Sequence, residues 1–204
     1  MHKHSKKEEV YNFLLEIGKE IAKRKLGALF IIAPEGNFKG IYELLYPQVI
    51  ESHKIFERGS KELILKLAEL DGAFLVHDDG TLEAFGARIL KSKALPGYGT
   101  KHAAATGITG YIRNSTAILV SEENQWIKIF KNGKIVLEMD SSKTPPSVMH
   151  KVVTFLTDND TALLATAGAS AAIMGVIPVV IVSGTYLAIK TASGIIKKSL
   201  KHNH

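Results

Sequence analysis

The chain has 204 residues, of which 46% are hydrophobic and 23% are charged, and its formal net charge at pH 7 is +6. These values are typical of a folded protein rather than a disordered one, and the length is sufficient for one domain with an additional segment. The absence of cysteine excludes disulfide scaffolds, thiol nucleophiles and thiolate metal sites. The positive charge is compatible with an anionic ligand, a nucleic acid or an anionic membrane surface, and it does not distinguish among these partners.

Residues 1–25 predict an N-terminal amphipathic helix. Their apolar side chains recur at spacings of three and four, which is the period of one helix face: Val10, Phe13, Leu14, Ile17 and Ile21. The same stretch lacks the apolar core of a secretory signal, so we expect a cytoplasmic location. The apolar run "LGALFIIA" (26–33) then predicts a buried strand that ends at Pro34.

The middle of the chain predicts helices and hairpins. Residues 37–60 favour a helix followed by a loop, and "SKELILKLAEL" favours a helix capped by Ser60. Asp79-Gly80 and Asn132-Gly133 each separate two apolar runs, and both pairs tolerate the positive φ of a hairpin turn. We therefore expect an α/β or α+β domain over residues 26–140, with a mixed central sheet flanked by helices.

The last part of the chain has a different composition. The paired prolines of "SSKTPPS" (141–147) predict a linker over residues 141–160, because neither a helix nor a central strand continues through them. No charged residue occurs from Thr161 to Ile189, and about 20 apolar residues suffice to cross a bilayer. We predict an apolar helical tail at 161–204 that associates with a membrane through 161–189; the alternative is a small-residue helix buried in an oligomer.

The stretch "GYGTKHAAATG" (97–107) combines glycine turns with a basic helix start. Its first two glycines, Gly97 and Gly99, permit tight turns and the close approach of a ligand. Thr100 is a competent helix cap, and the free N–H groups of a helix start favour an anion. Lys101 and His102 add a charge and a hydrogen-bond donor. An ordinary capped helix is the alternative interpretation of the same stretch.

Carboxylates lie at the ends of two predicted strands. Asp71 precedes Gly72-Ala73 at the start of an apolar strand, where it is either a helix-to-strand cap or a metal ligand. Ser121, Glu122 and Glu123 follow the apolar strand "ILV", where acidic residues usually form a solvated turn. Two carboxylates around a phosphate-binding helix start are what metal-dependent phosphoryl transfer requires.

Taken in order, these motifs resemble the diadenylate cyclases, which condense two ATP molecules into cyclic di-AMP. The resemblance covers about residues 24–140 and rests on "LGALFII", the Asp-Gly-Ala of "LDGAFLV", "GTKHAAATGIT", "ILVSEEN" and "IKIFKNGKIVLEM". The resemblance is greatest to those diadenylate cyclases whose basic motif is shorter, a group best known from archaea. Where many members have Arg-His-Arg, this chain has Lys101, His102 and Ala103, and lysine does not reproduce the two-pronged grip of arginine on phosphate.

The resemblance implies a role for each matching residue. Asp71 would hold Mg2+ or Mn2+ and help to activate the ribose 3′-hydroxyl, and Glu122 would be a second carboxylate beside the metal. The residues implied to bind the nucleotide are Gly72, Ala73, Gly99, Thr100, Lys101, His102 and Ser121.

The resemblance also implies the partners. Family members work as two domains face to face, each with one ATP, and release pyrophosphate. We therefore expect ATP as the substrate, a homo-oligomer and no nucleic acid. The altered basic motif leaves an alternative, which is a catalytically weak or inactive nucleotide sensor coupled to a tail that acts on membranes or forms oligomers.

Overall fold

The computed structural model describes residues 5–49, 53–94, 96–142, 144, 146–157, 170–175 and 177–183. Within these ranges the helices are α1 (Lys6–Lys23), α2 (Ser60–Leu67), α3 (Thr100–Tyr111) and α4 (Pro146–Thr157). The strands are β1 (Ala28–Ala33), β2 (Tyr42–Leu44), β3 (His53–Lys54), β4 (Ala73–His77), β5 (Thr81–Ile89), β6 (Thr116–Val120), β7 (Trp126–Lys131), β8 (Lys134–Asp140), β9 (Ser170–Gly175) and β10 (Ile177–Ser183).

One mixed sheet joins these strands in the order β2-β5-β4-β1-β6-β7-β8-β10-β9, and β3 pairs with β5. The central strands β1 and β4 run parallel, whereas β6 runs antiparallel to β1 and β5 runs antiparallel to β4. The starts of β1 and β4 and the ends of β5 and β6 therefore meet at the same edge of the sheet. The predicted mixed central sheet flanked by helices is confirmed.

Helices cover both faces of the sheet. Phe30 and Ile32 of β1 belong to the core beneath α1, α2 and α4, whereas Leu29 and Ile31 belong to the core beneath α3. Both sets of side chains are almost completely buried. This two-sided burial explains why β1 is a continuous apolar run rather than an alternating one.

The helix predicted within residues 37–60 is wrong. β2 and β3 lie there instead, and both pair with β5 along the edge opposite β4. Ser60 is not the N-cap of α2, because Gly59 holds that position with φ 87°. The Ser60 hydroxyl instead donates to the Lys54 carbonyl oxygen at 3.2 Å, which ties α2 to β3.

The sequence predicts a linker at residues 141–160, but residues 146–157 form the helix α4. Proline is tolerated in the first turn of a helix, so Pro146 starts α4 rather than preventing it. Val153 and Leu156 are buried in the same core as α1. Lys131 donates to the Leu156 carbonyl oxygen at 2.8 Å, and burial lowers the pKa of Lys131 to about 8.

The division of the chain into domains stays a prediction.

The helical tail is also corrected where the structure describes it. Residues 170–175 and 177–183 are β9 and β10, and β10 pairs with β8. The β-branched run of β10 favours a strand, and its pairing covers the edge that β8 would otherwise expose. The rest of the predicted tail, 158–169 and 184–204, lies outside the described residues. Among the helices that the structure describes, none has the length and apolar character needed to cross a membrane.

Gly107 provides a test of how closely α3 packs against the backbone of residues 91–93. Alanine normally stabilises a helix interior by about 1 kcal/mol relative to glycine, but a Cβ at Gly107 would lie 2.6 Å from Ser92 Cα and closer still to the Lys91 carbonyl oxygen. We expect Gly107→Ala to lower the free energy of unfolding by about 1–3 kcal/mol in urea denaturation. The control is Gly110→Ala, whose Cβ would make an ordinary 3.5 Å contact with Gly133 Cα. Equal stability of the two variants would contradict the described packing.

Candidate functional site

Three chain segments meet at the sheet edge where β1 and β4 begin. Asp71 lies just before β4, α3 begins at Thr100, and Ser121 and Glu122 follow β6. Every residue that the sequence predicted for the site lines one or both of two adjoining cavities, and Asp71, Thr100 and Lys101 line both. We call the two cavities together the cleft. The structure brings the predicted residues together, while their assignment as a site and the role of each stay predictions.

The first cavity has a volume of about 370 Å³ and is lined mainly by apolar side chains. We call it the apolar cavity. Its apolar lining residues are Leu29, Leu45, Ala73, Ala87, Ile89, Ala103 and Ala104. A surface of this kind suits the face of a flat, weakly polar group such as a nucleobase.

The second cavity has a volume of about 380 Å³ and carries the charged groups. We call it the polar cavity. Its carboxylates are Asp71, Glu122 and Glu123, and its ammonium groups are those of Lys101 and Lys128. The sequence analysis missed Lys128, because a lysine between isoleucines in "IKIF" is indistinguishable by pattern from a solvent-facing strand residue.

The start of α3 contributes backbone donors to the cleft. Gly99 is the N-cap, and no side chain hydrogen-bonds to the helix start in the described chain. Thr100 is therefore the first helical residue, and the prediction that it caps the helix is wrong. The first N–H groups of a helix have no intrahelical acceptor, so they suit an anion in the cleft.

Lys101 and Glu122 lie against the same backbone position. The Lys101 ammonium donates to the Gly27 carbonyl oxygen at 3.4 Å. A Cβ on Gly27 would lie 3.3 Å from both Lys101 Nζ and Glu122 Cβ. The glycine before β1 therefore leaves the space in which the positive and negative side chains of the cleft approach each other.

Gly72 brings Asp71 to the mouth of the cleft. Gly72 has φ 100°, a left-handed conformation that favours glycine, and a Cβ there would lie 2.5 Å from the carbonyl carbon of Gly86 on β5. The Gly72 N–H donates to Asp71 Oδ1 at 2.8 Å. The exposed carboxylate of Asp71 lines both cavities, and its role as a cap or as a metal ligand stays a prediction.

His102 is a neutral residue of the polar cavity. Its ring packs on Tyr98 at a centroid distance of 4.5 Å and meets Phe130 edge-on at 6.0 Å. Burial, and then the charge of Lys128, lower the pKa of His102 to about 4. Its buried Nε2 has no hydrogen-bond partner among the described residues. At neutral pH His102 therefore contributes no positive charge to the polar cavity.

The predicted metal ligands line the same cavity but do not form a complete site. Among the described residues, no group of three or more histidine and acidic side chains is arranged to hold a metal ion. Asp71 and Glu122 both line the polar cavity. Mg2+ is commonly bound by one or two carboxylates together with substrate phosphates and water. The donor set fits a hard cation that arrives with a phosphorylated ligand.

A mixed sheet with an anion-binding helix start and carboxylates at one edge defines an α/β domain built to bind a phosphorylated ligand. Residues 17–135 match the family model described as "DisA bacterial checkpoint controller nucleotide-binding". The chain belongs to this family.

Two curated relatives are diadenylate cyclases from archaea. The protein of Methanocaldococcus jannaschii is 32% identical over 139 residues, which are 65% of this chain and 44% of the relative. The protein of Haloferax volcanii is 34% identical over 140 residues, which are 65% of this chain and 51% of the relative. The chain thus spans about half the length of the curated relatives it matches.

Solved structures share the fold. DacA from Staphylococcus aureus, crystallised as a double mutant, has a TM-score of 0.52 at 20% identity, covering 72% of this chain and 95% of that chain. A hypothetical membrane spanning protein from Bacillus cereus has a TM-score of 0.51 at 21% identity, covering 60% of each chain. At these identities the similarity establishes the fold alone.

The ionisation of His102 is directly measurable. Its folded pKa of about 4 lies below the ordinary value of 6.5, so the unfolded chain binds more protons between those two values. We expect stability to fall as the pH decreases through that window, and less steeply in His102→Gln. An NMR titration of the imidazole, assigned with the same variant, should give a pKa near 4. A pKa at or above 6.5 would show that the ring is neither buried nor close to a cation.

Proposed function

We propose that this chain is a diadenylate cyclase, which condenses two ATP molecules into cyclic di-AMP and releases pyrophosphate. The observation that carries the proposal is the convergence of Asp71, the start of α3 and Glu122 on one cavity. The two archaeal relatives named diadenylate cyclase support it.

The two cavities suggest how ATP would lie in the cleft. The apolar cavity would take the adenine between side chains such as Leu29 and Ile89, and the polar cavity would take the triphosphate. Thr100 and Lys101 line both cavities, so we place the α-phosphate at their junction, next to the free N–H groups of α3. His102, being neutral, would hydrogen-bond a phosphate oxygen without adding charge.

Asp71 and Glu122 would hold Mg2+ or Mn2+ in this proposal. The bound metal would neutralise charge on the phosphates, with phosphate oxygens and water as its remaining ligands. The two carboxylates alone would repel a triphosphate, so nucleotide and metal are expected to bind together. The Lys101 ammonium, which lies beside Glu122 at Gly27, would stabilise the same negative charge.

The chemical step is the attack of a ribose 3′-hydroxyl oxygen on the α-phosphorus of the other ATP. The new O–P bond replaces the bond from that phosphorus to the bridging oxygen, and pyrophosphate leaves. Asp71 would orient the hydroxyl and accept its proton. Two such attacks close the ring, and each needs an ATP held by a separate cleft. A homo-oligomer with two clefts face to face is therefore part of the proposal.

A second candidate function is a nucleotide sensor with little or no turnover. The contact that favours it is the 3.4 Å hydrogen bond from the Lys101 ammonium to the Gly27 carbonyl oxygen. This bond occupies one N–H donor of Lys101 that would otherwise be available to a phosphate. A lysine also binds phosphate as a point charge, without the bidentate geometry of arginine. In this case the cleft would bind ATP, and the signal would pass to the tail. The membrane association of residues 161–189 stays a prediction.

Asp71 provides the test of the proposed reaction. Incubation of the protein with ATP and Mn2+ should give cyclic di-AMP, detected by mass spectrometry. We expect Asp71→Asn to reduce the rate by about 10²-fold or more, because the amide neither accepts the proton nor binds the metal well. Asp78→Asn is the matched control, since Asp78 lies in the turn at the far end of β4 and should leave the rate unchanged.

Two results would contradict parts of this proposal. An Asp71→Asn variant with full activity would remove Asp71 from the mechanism. Saturable ATP binding by the wild-type protein without product would contradict the cyclase and support the sensor.

A further inference from the structure

We propose that Lys128 is a second phosphate-binding cation of the cleft, which contacts the triphosphate from the sheet while Lys101 contacts it from α3. The inference deepens the proposed function, because it rests on a triphosphate in the polar cavity. It assigns a binding role to a residue for which the sequence predicted none.

The position of Lys128 in the sheet is unusual for a lysine. Lys128 lies on β7, between Leu119 of β6 and Glu138 of β8 in the sheet register. Its neighbours along the strand, Ile127 and Ile129, face the core beneath α1. Since side chains alternate along a strand, Lys128 lies on the face covered by α3. Its exposed fraction is only 8%, so packing alone would favour an apolar residue here.

A buried ammonium requires polar partners, and the contacts of Lys128 are weak. Its Nζ lies 3.8 Å from Glu138 Oε1, which is longer than the 2.7–2.9 Å of a charge-assisted hydrogen bond. The same Nζ lies 4.9 Å from the centroid of the Tyr98 ring, a cation–π contact. Among the described residues no hydrogen bond of normal length uses its three donors. The ammonium is therefore oriented, but its donors remain available to a ligand.

The surroundings place that ammonium where the phosphates are expected. Lys128 lines the polar cavity together with Thr100, Lys101 and Ser121. Its charge contributes to lowering the pKa of His102, so its field extends to the first turn of α3. With three carboxylates and two ammonium groups lining this cavity, loss of either lysine would leave a strongly negative site. A triphosphate is the anion that two lysines, backbone donors and a metal would together hold.

The experiment compares Lys128→Met with the wild-type protein by calorimetric titration of ATP and of adenosine in the presence of Mg2+. We expect the Kd for ATP to rise by about tenfold or more, as expected for one hydrogen bond to a charged group. The Kd for adenosine should change little, because adenosine lacks phosphates. Lys128→Arg should restore most of the ATP affinity. The matched control is Lys134→Met, which removes an exposed lysine of β8 outside both cavities and should leave both constants unchanged.

A purely structural role gives a different result. If Lys128 only neutralises Glu138, then Lys128→Met and Glu138→Gln will both lower the free energy of unfolding, and the ratio of ATP to adenosine affinity will stay at the wild-type value. That outcome overturns the inference. Lys128→Gln, measured in parallel, serves the same comparison if the methionine variant does not fold. Failure of the wild-type protein to bind ATP would overturn the proposed function as well, whereas equal ATP affinity of wild type and variant overturns this inference alone.

Discussion

The parallel pairing of β1 with β4 is the constraint on which the cleft depends. Phe30 pairs with Phe74 in this register, and β6 runs antiparallel to β1 on its other side. As a result the start of β4, the start of β1 and the end of β6 lie at one edge, although they are far apart in the chain. Buried side chains on both faces of β1 fix this register, since a slip by one residue would exchange the two cores.

Charge balance in the cleft follows from the same arrangement. Carboxylates project from the strand ends, and cations come from α3 and from β7. His102, which lies on α3 and packs against Phe130 of β7, is kept neutral by burial and by Lys128. The cleft therefore combines carboxylates with ammonium groups, which is suited to a triphosphate that arrives with a divalent cation. The proposed chemistry follows from this combination of charges more than from any single side chain.

Local sequence signals predicted a large part of the fold and of the site. The period of α1, the apolar run of β1 and the Asn132-Gly133 hairpin all depend on contacts near in sequence, and Asn132 and Gly133 do adopt positive φ. The motif residues around Asp71 and Lys101 were chosen because several motifs resemble the diadenylate cyclases in order, since a capped helix or a solvated turn explains each local pattern by itself.

Non-local effects account for what the sequence did not predict. β2 and β3 exist because β5 is long enough to pair with them, which no local pattern indicates. α4 forms because its apolar residues pack against α1, although it begins with a proline. Lys128 was overlooked for the same reason: its burial is a property of the assembled sheet, and the surrounding pattern is that of an ordinary half-exposed strand.

The most direct test of the central claim is a crystal structure of the protein with a non-hydrolysable ATP analogue and Mn2+, in which anomalous scattering locates the metal. The account predicts Mn2+ between the carboxylates of Asp71 and Glu122, with the triphosphate against the first turn of α3. A nucleotide bound away from this sheet edge, or a metal coordinated by other residues, would contradict it.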